Sequence, residues 1–413
     1  MSASLIRGVF THSWSDLDYG NFFLFDVGHF YGRFSRLYLW FLNNHGLLHI
    51  LLICFYIFLG IQIIFFVLFI VGLSKKPDTN NSISLPVSVI VCAHDEESNL
   101  RELIPTLLAQ DHPEFEVIIV DDRSNDTTFD FMLSETTKDH RLRLVHINRT
   151  PPHVNSKKYA LTLGIKAARY EWLLLTDADC RPQGNSWISS ISTGFSKTTD
   201  FVLGYSPYMH KPGLLNAFIR FETLITGIQY IAMARMGIPF MGVGRNLAYR
   251  RSKFLAVKGF NDILPVTGGD DDLYVNQHAR RGNTVVRADA AAQTYSIPKT
   301  TWRSFNQQKI RHLSVGKKYR LVHRLLLGLF IFSWLGCWFI GTPLAFYNEN
   351  IYIIPFLLAL RLIVVVITIH LSAVKLGQNF ALWTVPLLDF IYAFYYLVTG
   401  LQALVIQKVR WKS

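Results

Sequence analysis

The sequence is short of charge and of cysteine. Only 17% of its 413 residues are Asp, Glu, Lys or Arg, while 50% are hydrophobic. This excludes a disordered chain and argues against a wholly soluble protein. Its four cysteines, Cys54, Cys92, Cys180 and Cys337, are scattered and form no CxxC pair. They read as neither a disulfide framework nor a zinc site, which suits a reducing compartment. The phosphate-cradling pattern G-x-x-x-x-G-K is also missing. Acid is outnumbered by base, 29 Asp and Glu against 41 Lys and Arg, for a formal charge of +12. An anionic partner is therefore favoured: nucleic acid, a phosphorylated substrate or an acidic membrane face.

The hydrophobic excess lies in a few runs. Leu47 to Leu73 has no charged residue, and as a helix it would extend about 40 Å, beyond a bilayer core of roughly 30 Å. We expect a transmembrane helix over 47–73, too late and too long for a secretory signal peptide. Lys75-Lys76 follow at once and place the next segment in the cytoplasm by the positive-inside rule. In the C-terminal region Leu325–Asn348 carries no charge, Ile351–Val374 only Arg361 and Leu376–Gln407 only Asp389, and three membrane segments are expected near 325–346, 351–374 and 383–406. Three crossings would leave the tail outside, yet 407–413 is basic, with Lys408, Arg410 and Lys412. One segment is therefore expected to be re-entrant or interfacial, and the one near Pro386 is the candidate. Residues 1–46 are rich in aromatic rings, which favour the headgroup layer, so an interfacial segment is expected there.

Residues 74–324 have ordinary domain composition. Pro86–Cys92, Glu116–Val120, Leu142–Ile147 and Trp172–Leu175 read as buried strands. Helical patterns run through Leu100 to Leu108 and Tyr159 to Ala168. This alternation predicts a parallel α/β sheet, whose ligands bind beyond the carboxyl ends of the strands. Those ends hold Asp95 and Glu96, then Asp121 and Asp122, then Asp177 and Asp179.

Several groups at these ends have the residue types that chemistry needs. Asp177 and Asp179 can turn two carboxylates towards one Mg²⁺ or Mn²⁺, which completes its shell with water and phosphate oxygens; an Asp-rich turn is the bland reading. Asp121 to Asp126 fits either nucleotide recognition or a capped turn. Gly268-Gly269-Asp270-Asp271-Asp272 gathers three acids, as a solvated loop or as the base that deprotonates an attacking hydroxyl. In Gln307-Gln308-Lys309-Ile310-Arg311-His312, Arg311 suits a diphosphate, although juxtamembrane basic runs also bind anionic lipid.

Together these residues resemble the membrane-integrated family 2 glycosyltransferases of the GT-A type, over roughly Ser84 to Lys318. The A-R-N-E-like loop is Ala93-His94-Asp95-Glu96, the D-D-x-S element is Asp121-Asp122-Arg123-Ser124, and the D-x-D element is Asp177-Ala178-Asp179. The family lysine before an A-L pair is Lys157, and Gly242 to Tyr249 resembles the acceptor-side loop, with Gly244 and Asn246. The E-D-x-D-L motif is matched by Gly269-Asp270-Asp271-Asp272-Leu273, making Asp270, or Asp271 one residue on, the base. Q-R-x-R-W appears as Gln308-Lys309-Ile310-Arg311-His312, with His312 in place of the tryptophan that stacks a sugar in processive synthases.

The resemblance implies a GT-A catalytic domain over 84–308, a basic interfacial helix over 309–324, and membrane segments on both sides. It implies metal on Asp179 and Asp177. A nucleotide sugar, UDP- or GDP-linked, would be held by Ala93, His94, Asp95, Glu96, Asp121, Asp122, Lys157, Asp177, Gln308 and Arg311. Gly244, Asn246 and His312 would face a lipid or lipid-linked acceptor. The expected reaction is inverting sugar transfer at a multi-pass cell membrane protein with a cytoplasmic catalytic domain. A processive polymer synthase of the same fold, a phosphoryl or nucleotidyl transferase and a degenerate scaffold are the competing readings. The charge distribution argues against nucleic acid: Lys309 to Arg324 carries six basic residues and no acidic one, a collar suited to anionic membrane lipid.

Overall fold

The computed structural model describes residues 45–75, 84–152, 154–347 and 352–405. The aromatic N-terminal stretch before 45 and the basic tail lie outside them. The first helix, α1 (His45–Ser74), covers the first apolar run. The next elements alternate as the hydrophobic spacing requires: β1 (Val87–Ala93), α2 (Glu97–Leu108), β2 (Phe115–Asp122), α3 (Thr128–Thr136), β3 (Leu142–Ile147), α4 (Ser156–Ala167) and β4 (Trp172–Asp177). Then come β5 (Cys180–Pro182), α5 (Trp187–Ser192), β6 (Phe201–Gly204) and the long α6 (Leu214–Arg235). They are followed by β7 (Leu247–Arg250), α7 (Arg251–Ala256), α8 (Asp272–His278), β8 (Thr284–Arg287) and β9 (Thr294–Ser296).

Seven strands form one sheet in the order β3-β2-β1-β4-β7-β6-β8. The four strands expected from sequence are parallel, but the sheet is mixed, because β7 runs antiparallel to both β4 and β6. Alternate residues of the central strands feed two cores. Ile90, Ile118, Val120, Leu173 and Leu175 face α4 and α6, while Val89, Val91, Val117, Ile119 and Leu174 face α2 and α5. Burial on both faces explains why these strands read as continuous apolar runs. Register sets the site: Ala93 pairs with Asp121 and Cys92 with Asp177, so β1, β2 and β4 end together at one edge.

The expected basic helix over 309–324 is two pieces. α9 (Trp302–Gly316) starts on a Thr301 cap, whose side chain accepts from the Ser304 N–H. It stops at Gly316, and α10 (Leu321–Phe339) begins after a turn. That turn is tied to α8: the Tyr319 hydroxyl donates to Asp272 at 2.7 Å and the Arg320 N–H to Asn276 at 2.9 Å. α11 (Gly341–Tyr347), α12 (Ile353–Lys375) and α13 (Val385–Val405) complete the fold. Among the described residues, four helical stretches are long and apolar enough to cross a membrane: Gly46–Ser74, Leu321–Tyr347, Ile353–Lys375 and Leu382–Ala403. The core above α4 continues into Phe65, Phe66 and Phe69 of α1 and Phe330 and Trp334 of α10, so domain and mount share one apolar interior.

The chain after α12 takes an unusual path. Lys375 Nζ donates to Ser74 at the end of α1 at 2.8 Å and Gln378 to Gln293 at 3.0 Å, so α12 ends against the sheet domain. Asp389 then meets Arg361, about 20 Å back along α12 at 1.5 Å per residue. The rest of α13 returns to the domain, where Tyr396 donates to Glu222 at 2.8 Å and Asn306 to Gln402 at 3.3 Å.

Candidate functional site

A cavity of about 1150 Å³ opens at the carboxyl edge of the sheet. It is lined there by Ala93, His94, Glu96, Asp122, Lys157, Asp177, Asp179, Asp270 and Asp271, and by Gln308, Arg311 and His312 of α9. It extends to Leu327, Gly328 and Ile331 of α10 and to Tyr392, Tyr396 and Gly400 of α13. The acids at the strand ends and the membrane-helix region therefore share one space.

Lys157, in the first turn of α4, joins two of the acidic groups. Its Nζ lies 3.2 Å from Asp177 and 3.4 Å from Asp270. Burial alone would lower its pKa, but the Asp177 and Asp270 carboxylates outweigh that and raise it well above the usual lysine range. Burial likewise works to raise Asp177, but Lys157 and Arg245 prevail and lower it. Asp179 is raised, by burial and by the charge of Asp177 beside it. Two carboxylates whose charges oppose each other are relieved by a cation between them. Among the described residues no group of three or more His, Cys, Asp or Glu could cage a metal alone. The pair Asp177 and Asp179 still fits Mg²⁺ or Mn²⁺, which takes one or two carboxylates and fills its shell from water and phosphate.

The three acids of the Gly268-Gly269 loop do different work. Asp271 accepts from the Gly244 N–H at 2.7 Å and from the Asp272 N–H at 2.8 Å, as the N-cap of α8. Asp272 accepts from Leu273 N–H and Tyr319. Asp270 is 5% exposed and turns its carboxylate to Lys157 in the cavity. Gly268 and Gly269 have φ of 84° and 82°, and a Cβ on Gly269 would come within 3.0 Å of Leu273 Cβ. This conformation explains why glycine stands where the motif usually has glutamate.

Lys158, adjacent to Lys157, was not singled out from sequence, and it holds this loop from behind. Its buried Nζ donates to the carbonyls of Ile263, at 2.7 Å, and Val266. Burial pushes its pKa down to about 8. Lys158→Met leaves two buried carbonyls without their donor, and should cost about 3 kcal/mol of stability at about 1.5 kcal/mol per bond. Thermal unfolding checks this; an unchanged midpoint would mean the loop is held elsewhere.

Four candidate residues do not line the cavity. Asp121 is fully buried and pairs with His146 at 2.7 Å. Asp95, at φ 54°, bridges the β1 and β2 loops by accepting from the Asn125 and Asp126 N–H groups. Asn246 is a core keystone, accepting from Trp187 Nε1 and donating to the Tyr205 and Ala292 carbonyls. Gly244 acts through its N–H on Asp271 and leaves room for that carboxylate, since a Cβ would sit 3.2 Å from Oδ2. Conversely Arg245, Tyr208, Lys299 and Glu222 line the cavity and were not chosen from sequence. Arg245 lay inside the quoted Gly242–Tyr249 stretch; the others had no motif to mark them.

Residues 88–256 match the model of Glycosyl transferase family 2. A poly-β-1,6-N-acetyl-D-glucosamine synthase of Staphylococcus epidermidis is 32% identical over 95 residues, 22% of this chain and 21% of that protein. The probable glycosyltransferase YdaM of Bacillus subtilis is 25% identical over 232 residues, 54% of each. The chain thus spans between a fifth and about half of the length of these two relatives. The mannosyltransferase PcManGT from Pyrobaculum calidifontis, solved with GDP-Man and Mn²⁺, has the same fold, with a TM-score of 0.59 at 16% identity over 88% of this chain and 100% of that one.

Proposed function

From a chain built around a family 2 glycosyltransferase domain, we propose an enzyme that moves a sugar from a UDP- or GDP-linked donor to a hydroxyl on a lipid-linked or otherwise membrane-presented acceptor. The observation that carries this reading is the cavity, which joins Asp177, Asp179 and Asp270 to residues of α10 and α13 in one space. A donor bound at the sheet edge and an acceptor held by the membrane can meet there. We place the catalytic domain on the cytoplasmic side, because Lys75-Lys76 follow α1 directly.

Asp177 and Asp179 would hold Mg²⁺ or Mn²⁺, which supplies positive charge at the donor diphosphate. Lys157 and Arg311 add fixed positive charge where the leaving diphosphate develops its own. Asp270 takes the proton from the acceptor hydroxyl as its oxygen attacks the anomeric carbon, and Lys157 keeps that carboxylate oriented. One displacement by one base inverts the anomeric configuration.

Membranes containing the protein, incubated with a panel of nucleotide sugars, should yield a lipid-extractable glycosylated product detectable by mass. Chelation should stop its formation and Mn²⁺ restore it. Asp179→Ala should remove the Mn²⁺-dependent part of nucleotide affinity in calorimetry, about tenfold or more; equal affinity with and without the metal in the unaltered protein would sink the metal role. A second reading, polymer synthesis, draws on the poly-β-1,6-N-acetyl-D-glucosamine synthase relatives and predicts a ladder of product lengths in the same assay.

A further inference from the structure

The mechanism above leaves several cavity cations unused, Arg245 among them. Arg245 sits on the short turn Gly244–Asn246 that leads into β7. Its guanidinium lies over the Tyr208 ring, 4.4 Å from the centroid. Tyr208 is 6% exposed, and its hydroxyl accepts from Gln308 of α9 at 3.3 Å. The platform is therefore fixed from two sides. The charge of Arg245 acts on both Asp177 and Asp179, opposing the effect of burial on each, and Tyr205, Ser206 and Glu222 line the same cavity. Arg245 thus shares the cavity with the paired aspartates and feels their charge.

Two buried polar atoms flank the Tyr208 ring without a hydrogen-bond partner among the described residues: Nη1 of Arg245 and Oε1 of Gln308. A guanidinium is always charged, and a buried donor left without a partner is destabilising. A counter-charge for Asp177 does not explain it, because Lys157 already fills that role at 3.2 Å. A cation held over a ring, with a donor lacking a hydrogen-bond partner and lining a cavity, has the construction of an oxyanion receptor.

We propose that Arg245, carried by Tyr208, binds a phosphate oxygen of a substrate. This rests on the glycosyl-transfer reading above. The phosphate belongs either to the donor's diphosphate or to the head of a phosphorylated acceptor, and both present the same anionic oxygens to the guanidinium.

The test uses the full chain in detergent, titrated by calorimetry with UDP and with GDP in Mn²⁺, and with dodecyl phosphate against dodecanol. The variants are Arg245→Gln, Arg245→Lys and Tyr208→Leu, each checked for an unchanged unfolding midpoint. Tenfold or greater loss of UDP or GDP affinity in Arg245→Gln, partly recovered in Arg245→Lys, assigns the phosphate to the donor. Unchanged nucleotide affinity with a tenfold loss for dodecyl phosphate and none for dodecanol assigns it to the acceptor. Tyr208→Leu should follow the same ligand with a smaller loss. Affinities within twofold of the parent for every ligand, in a folded Arg245→Gln, overturn the proposal. A parent protein that binds neither UDP nor GDP overturns the functional reading itself, and this proposal with it.

Discussion

Asp270→Asn should reduce transfer by about 10²–10⁴-fold, the range supplied by a positioned general base, while nucleotide affinity in Mn²⁺ stays within about twofold. The expectation comes from how the three consecutive acids divide. Asp271 spends both oxygens on the Gly244 and Asp272 N–H groups, and Asp272 spends its own on Leu273 and Tyr319. All three line the cavity, but Asp270 is the one whose carboxylate lies beside Lys157 there. The amide keeps the shape and removes the proton acceptor, so the loss should appear in kcat rather than in donor binding. Asp271→Asn should behave differently, because it weakens the α8 cap and the Gly244 tie: its unfolding midpoint should fall, by the 0.5–2 kcal/mol or so typical of a cap. Near-normal turnover in Asp270→Asn, or an isolated kcat loss in Asp271→Asn, would move the base one residue along.

Arg361→Met should destabilise the membrane region by about 3–5 kcal/mol, the usual result of breaking one side of a buried ion pair. Arg361 and Asp389 are almost fully buried and paired through both guanidinium nitrogens. Arg361 Nε also donates to Gln62 at 2.6 Å, and Trp338 Nε1 to Asp389 at 2.8 Å. The group ties α1, α10, α12 and α13 at one level. Removing one charge strands the other among Trp334, Trp338 and Gln62, whereas the double variant Arg361→Met with Asp389→Leu removes both demands. The double variant should therefore recover most of the loss in thermal inactivation of detergent-solubilised protein. Equal losses in single and double variants would mean that packing, not charge, accounts for the effect.

The fold was legible where periodicity was strong. Strands β1, β2 and β4 announced themselves because burial on both faces keeps their middles apolar, and the acids that follow them marked the edge where the cavity lies, whereas β3 is partly exposed and carries Arg143 and His146. Direction was harder: nothing in Leu247–Arg250 distinguishes a strand that runs against β4 from one that runs with it, and that choice is made by the chain's return through α6. Motif membership likewise did not separate cavity residues from supports. Asp121 and Asp122 are neighbours, yet alternation on a strand sends one to His146 and the other to the cavity. Asn246 and Arg245 divide the same way, one into the core and one onto Tyr208. Lys158 is an unremarkable helix residue until the fold brings Ile263 and Val266 to it.

The return of α13 to the catalytic domain changes the count of membrane passages. If α1, α10 and α12 each traverse the bilayer and 376–405 enters and leaves by one face, the number of crossings after the domain is even. The chain would then leave α13 on the side it occupied before α10. That is the side to which the positive-inside rule would assign a sequence continuing through Lys408, Arg410 and Lys412, and parity and charge would agree.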